Sequence, residues 1–216
     1  MDYREGIEKM KEEEERPNFI EEYYSEDNRV FISCPHSYRH KREGKVKSEQ
    51  GEVHTAIIAK EIAKHINEKN KKNLVYIIYK TNNEDDDPNY SEESEYREYV
   101  INRLKNKSGI FIDLHTMSNK RKQDIELGTN NYNNIKQDKE LLTRIKNIFM
   151  QRGMEVTNDQ IFFASDENNV SKNVAKSCEK IKSIQIEMNW RNYIEEEKYK
   201  NLIKSLIELI EGEMKE

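Results

Sequence analysis

Cysteine is scarce in this chain: Cys34 and Cys178 are the only two in 216 residues, and they form no C-x-x-C pair. Both read as small buried apolar residues of a reducing compartment, and nothing in their spacing supports a disulfide. No apolar run approaches the ~20 residues that a bilayer-spanning helix needs. The opening MDYREGIEKM also lacks the apolar segment of a secretory signal. A cytoplasmic protein without a membrane partner is therefore expected. An excess of positive charge is missing too. Lys and Arg number 37 against 42 Asp and Glu, for a formal charge of -5 with both signs interspersed. That argues against a nucleic-acid partner, whose binders usually carry a basic face. The phosphate-loop pattern GxxxxGK[ST], the dinucleotide pattern GxGxxG and the zincin pattern HExxH are all absent.

What remains is a polar chain with short apolar runs. Charged residues make up 37% and mean hydropathy is -1.08. Yet Ile, Leu, Val, Phe and Tyr cluster, which a uniformly disordered chain would not show. The length suits one domain. Residues 1–28, with the run KEEEER, read as an acidic arm of solvated helix and loop, docked through Phe19, Tyr23 and Tyr24. Residues 29–216 read as a single domain. Predicted strands are VFISC (30–34), NLVYIIYK (73–80), IFIDLH (110–115), a short DIELGT (124–129), IFFA (161–164) and SIQIEMNW (183–190). Predicted helices cover about residues 51–69, 92–105, 134–151 and 195–211, the first, third and fourth with an apolar stripe at helical spacing. Such alternation implies an α/β fold in three layers, a mostly parallel or mixed sheet with helices on both faces. Its site should lie beyond the carboxyl ends of the strands.

Three strands end in reactive groups: His36 after the first, Asp113 and His115 on the third, Glu187 on the last. Two imidazoles and a carboxylate with one open position make a catalytic zinc site. Glu52, at the start of the helix after the His36 loop, is the candidate carboxylate, with Glu49 its rival. Asp113 and His115 share a strand face, so Asp113 is placed to accept the second N–H of a metal-bound His115. Glu187 is a carboxylate inside an apolar strand, costly unless paired or useful, and reads as a general base. Gln185 reads as part of a polar face at a sheet edge. His40 and Arg39 sit in a basic loop, a solvated segment that also suits a substrate carboxylate. His65 reads as a surface residue.

Five segments occur in an order that resembles the N-formylglutamate amidohydrolase family: ISCPHS, KSEQGEVHT, DDDPNYSEESEYREYV, GIFIDLHTMSNKRKQDIELGT and SIQIEMNWRNYIEE. They spread over about residues 30–200. The resemblance implies a phosphorylase/hydrolase-like fold related to zinc carboxypeptidases and aspartoacylases. It implies zinc held by His36, Glu52 and His115, with Glu187 as general base and Tyr193 near the pocket. Tyr38 stands where the family has a small residue. Trp190 stands where the family has arginine, and Arg191 follows one residue later, a slip that turns a strand side chain to the opposite face. The function implied is zinc-dependent hydrolysis of the C–N bond of an N-acyl (N-formyl) amino acid or related small amide. Arg39, Arg97 and Arg191 are candidates for holding a substrate carboxylate or stabilising an oxyanion. A carboxypeptidase-like metallopeptidase and a catalytically silent metal- or partner-binding domain are the alternatives.

Overall fold

The structure, a computed structural model, describes residues 17–47 and 51–214. The helix expected in the acidic arm, and Glu49, fall outside these residues. Among the described residues, nine strands form a seven-stranded sheet and a separate hairpin. The sheet strands are β1 (Phe19–Glu22), β2 (Val30–Cys34), β5 (Val75–Lys80), β6 (Gly109–Met117), β7 (Ile125–Gly128), β8 (Val156–Asn158) and β9 (Ile181–Asn189), and the hairpin is β3 (Lys41–Arg42) with β4 (Lys45–Val46). The sheet order is β1-β5-β2-β6-β9-β7-β8. Strands β5, β2, β6 and β9 run parallel; β1 pairs antiparallel to β5 and β7 antiparallel to β9, and β8 runs parallel to β7. The mixed α/β architecture matches the expected fold class.

Alternation along each strand sorts side chains onto two faces. Val30, Ile32, Ile77, Ile112, Ile184 and Ile186 join one core cluster beneath α1 (Val53–Asn70), α3 (Lys139–Met150) and α6 (Glu196–Glu213). Phe31, Tyr76, Ile78 and Phe111 join the other, beneath α2 (Glu95–Leu104) and α4 (Val170–Ser177). Helix α5 (Arg191–Ile194) is a single turn after β9. No helix among the described residues is long and apolar enough to cross a membrane.

Several segments differ from expectation. Part of the supposed loop before Arg29 is the edge strand β1, paired with β5 and anchored by Phe19 against the rings of Tyr96 and Tyr99 at 5.9 and 4.5 Å. Edge pairing of four residues leaves little trace in composition. IFFA is a loop, because a side chain takes the N–H groups that a ladder would use: Glu126 Oε1 accepts from the amides of Gln160, Ile161 and Phe162. Left-handed Asp159 and Ala164, at φ 46° and 53°, bracket it. Helix α4 is N-capped by Asn169, whose side chain accepts from the Lys172 amide, and its eight residues were too few to show a period. Both cysteines are buried and unpaired.

Helix α3 generates a test. Its N-cap Asp138 accepts from the Leu141 amide at 2.8 Å and pairs with the Lys182 ammonium at 2.6 Å. The Lys182 hydrogen bond and then the cap hold this carboxyl below its ordinary pKa. A depressed carboxyl stabilises the fold above its unfolded value of ~3.9, and that contribution is lost as pH falls through the folded value. Asp138→Asn keeps a cap and loses the ion pair. At pH 7 the urea midpoint should fall by an amount equivalent to about 0.5–1 kcal/mol, and the difference from wild type should shrink below pH ~4.

Candidate functional site

The register of the central strands assembles the polar groups. On the face toward α2 and α4, Ser33 lies beside Asp113, and Asp113 beside Gln185. One step toward the carboxyl ends, His115 lies beside Glu187, and Glu187 beside Glu126. Gln185 is therefore not at a sheet edge: β9 is an interior strand, and this residue is buried.

The turn after β2 brings in His36. Pro35 ends the strand, having no N–H for a ladder. The Ser37 hydroxyl then ties the turn to the carbonyls of Cys34 and Lys80, at 2.8 and 2.7 Å. The Glu52 amide donates to the His36 carbonyl at 2.7 Å, joining the turn to the start of α1. Gly51 allows this approach. It has φ +64°, and a Cβ there would lie 2.5 Å from the backbone carbon of Tyr38. Glu52 occupies the N-cap position of α1 without capping it. Its carboxylate turns inward, where Oε2 accepts from the Thr116 amide at 2.8 Å.

Both histidines are held by one ring edge. His36 Nε2 lies 2.9 Å from Asp87 Oδ1, and His115 Nε2 lies 3.2 Å from Asp113 Oδ2. Their other nitrogens face Glu52, with His36 Nδ1 3.7 Å from Oε1 and His115 Nδ1 3.8 Å from Oε2. Those gaps are too long for hydrogen bonds. One donor atom from each of His36, Glu52 and His115 lies within 4.8 Å of the others. Burial disfavours charge on His115, but Asp113 beside it lifts the pKa to about 10. Burial also opposes charge on His36, where Asp87 and Glu52 prevail and raise it. Asp87, Asp113 and Glu187 are buried, and Asp113 Oδ1 has no hydrogen-bond partner among the described residues.

Glu187 is positioned by a relay of amides. Asn169 Nδ2 donates to Gln185 Oε1, and Gln185 Nε2 donates to Glu187 Oε1, each at 2.8 Å. Burial pushes the Glu187 carboxyl up to about 7; the charge of Glu52 adds to this and His115 opposes it. Glu187, His36, His115 and Glu52 line one cavity of about 600 Å³.

The other residues singled out in the sequence lie as follows. Arg97 donates to the carbonyls of Pro88, Ser91, Glu92 and Asn168 and so joins two loops. Arg191 binds the Asp124 carboxylate at 2.7 Å and the Arg121 carbonyl at 3.0 Å. Arg39 pairs with Glu84 at 2.7 Å. None of these three guanidiniums lines the cavity, so the structure does not bring them to the histidines. Tyr193 is buried behind the cavity wall, its hydroxyl 3.3 Å from Thr116 Oγ1. His40 is not solvated: it stacks on His36 with centroids 4.1 Å apart, and burial pushes its pKa down to about 4, with the charge of His36 adding to the effect. Cys34 is buried, and burial raises its thiol pKa well above the ordinary value.

Asp87 was missed by sequence reasoning. It sits in the acidic stretch EDDDPNY, where three successive aspartates made each look solvated. In the fold it is fully buried and also accepts from Arg42 Nε and Nη2 at 3.0 and 2.7 Å. The proline after it was the available signal of an ordered turn.

Comparison with known proteins bears on the fold. No family model matches the chain, and no curated protein matches its sequence. Among solved structures, N-formylglutamate amidohydrolase from Ralstonia eutropha JMP134 superposes with a TM-score of 0.59 at 11% identity, over 92% of this chain and 99% of that one. The zinc-free apo form of YNDL gives 0.53 at 14% identity, over 94% and 95%. A bacteriophage poly-gamma-glutamate hydrolase gives 0.52 at 13% identity, over 91% and 90%. At these identities the likeness establishes a shared fold.

Glu126 provides a test of the cavity wall. Its Oε1 accepts from three successive amides, of which Phe162 belongs to a cavity-lining residue. Glu126→Ala should release this loop. Amide hydrogen exchange at residues 160–162 should accelerate by ~10-fold or more, while exchange in β9 stays slow.

Proposed function

We propose that this protein is a zinc-dependent hydrolase of the C–N bond of an N-acyl amino acid or a related small amide. One observation carries the reading: two imidazole Nδ1 atoms and the Glu52 carboxylate converge in the cavity while both Nε2 atoms face carboxylates. Metal-bound histidines usually give their second nitrogen to such acceptors. Zinc binds nitrogen and oxygen at ~2.0–2.2 Å, so donors with these separations suit one ion. The surplus of buried carboxylates favours a cation in the same place.

His36, Glu52 and His115 would hold the ion, which when bound polarises a carbonyl and lowers the pKa of water from 15.7 to about 7. Asp87 and Asp113 fix the two rings and their tautomers. The Thr116 amide orients Glu52. Glu187 serves as general base. Gln185 occupies its Oε1, so Oε2 takes the proton of water and returns it to the leaving nitrogen. A carboxyl with pKa near neutrality suits this two-way traffic. The names of the structural neighbours, an amidohydrolase and a poly-gamma-glutamate hydrolase, support C–N cleavage. The second of them keeps a peptidase acting on small peptides as the alternative, to be separated by a panel of N-acyl amino acids and short peptides.

Elemental analysis of the purified protein should find about one zinc per chain. His36→Ala and His115→Ala should each lose it, and full occupancy in both variants would sink the proposal. Glu187→Gln should keep its zinc and lose amide hydrolysis by ~10²–10⁴-fold.

A further inference from the structure

Three rings meet where β9 ends and α1 begins. His54 lies edge-on to Tyr193 with centroids 4.0 Å apart, and edge-on to Trp190 at 4.9 Å; Trp190 and Tyr193 are 5.6 Å apart. The polar atoms of two of these rings are engaged internally. His54 Nε2 contacts Thr116 Oγ1, and the Tyr193 hydroxyl lies 3.3 Å from the same oxygen. His54 and Tyr193 are buried and Trp190 is half-buried. Trp190 and His54 line the same cavity as Glu187 and His115, with Phe162 and Met117 adding apolar surface. This wall therefore offers ring surface that is already locked in place.

The cations tell the complementary story. Arg39, Arg97 and Arg191 are held outside the cavity by the partners described above. Arg42 reaches it but has Nε and Nη2 on Asp87 and lies over the Tyr90 ring at 4.9 Å. Away from the proposed metal ligands, an anionic substituent would find Lys47 as the one lining cation not engaged with a carboxylate among the described residues, and would meet Glu187 and Asp166 in the same lining. A neutral planar group meets no such opposition.

We propose that the cavity contains a specificity subsite for a planar apolar group next to the scissile amide, walled by Trp190 and His54 with Tyr193 behind them. The subsite deepens the hydrolase reading and rests on it for the bond that is cut. Aromatic rings bury a large area and prefer offset or edge-to-face partners. A substrate ring completes such a cluster at little entropic cost, because the wall rings are fixed by packing.

Trp190 is the sole tryptophan of the chain, so its emission reports from the subsite itself. The zinc-loaded full chain is titrated with N-acetylphenylalanine, N-benzoylglycine, N-acetylalanine and N-acetylglutamate, following fluorescence and, separately, calorimetric binding. At least one of the two aromatic compounds should bind ~10-fold or more tightly than the other two, with a saturable change in emission. By calorimetry, Trp190→Ala should abolish that preference and Trp190→Phe should keep it. Equal affinities, tighter binding of the glutamate compound, or a preference that survives in Trp190→Ala overturns the subsite. Amide cleavage is assayed independently. Its absence with the binding preference intact removes the proposed reaction and leaves the subsite standing, whereas cleavage without preference does the reverse.

Discussion

The parallel register between β6 and β9 governs this structure. It sets His115 beside Glu187 and Asp113 beside Gln185, on the face of the sheet opposite the larger apolar cluster. A slip of β9 by one residue would turn Ile184 and Ile186 out of that cluster and send Gln185 and Glu187 into it. The apolar face therefore locks the register, and the locked register builds the polar face. Hydrophobic burial and site geometry are two consequences of one alignment.

The polar face survives burial because nearly every charge has a partner. Burying a carboxylate alone is prohibitive, and burying it with several donors is tolerable. Asp87 shows the pattern, with His36, Arg42 and the Asn89 amide all within 3.1 Å. Glu126 shows it again with three backbone amides and the Gln123 side chain. The loop that carries Asp87 is itself clamped, by Lys80 on the Asp86 carbonyl and by Arg97 on the carbonyls of Pro88, Ser91 and Glu92. Glu52 is held by fewer partners. Its carboxylate leaves the helix end uncapped, accepts from the Thr116 amide, and lies beyond hydrogen-bond distance from both Nδ1 atoms.

Much of the fold was legible because long strands and helices carry a strong period. VFISC and the 110–115 run lie within observed strands, SIQIEMNW does so up to Asn189, and the apolar stripe of α3 is buried as its spacing indicated. Short elements were not: β1 has four residues and α4 has eight, too few for periodicity to rise above composition. IFFA failed for a different reason. Its composition favours a strand, but Glu126, distant in sequence, captures its amides. The arginines failed similarly. A guanidinium is versatile in sequence, and only its surroundings reveal whether it faces a ligand or, like Arg97, a set of carbonyls.

The sequence by itself determined the alternation of faces, the order of the longer strands and helices, and the positions of His36, His115 and Glu187 at strand ends. These follow from local periodicity and from Pro35, which act over a few residues. Tertiary structure alone decided which groups meet. It drew Asp87 out of an acidic stretch and onto His36, and buried His40 against the same ring. It moved Gln185 from a supposed edge to the interior, and turned Arg39, Arg97 and Arg191 away from the cavity. Apart from the stacking of His40 on His36, those outcomes depend on contacts between segments tens of residues apart, and sheet order and register, which set such contacts, are properties of the whole chain.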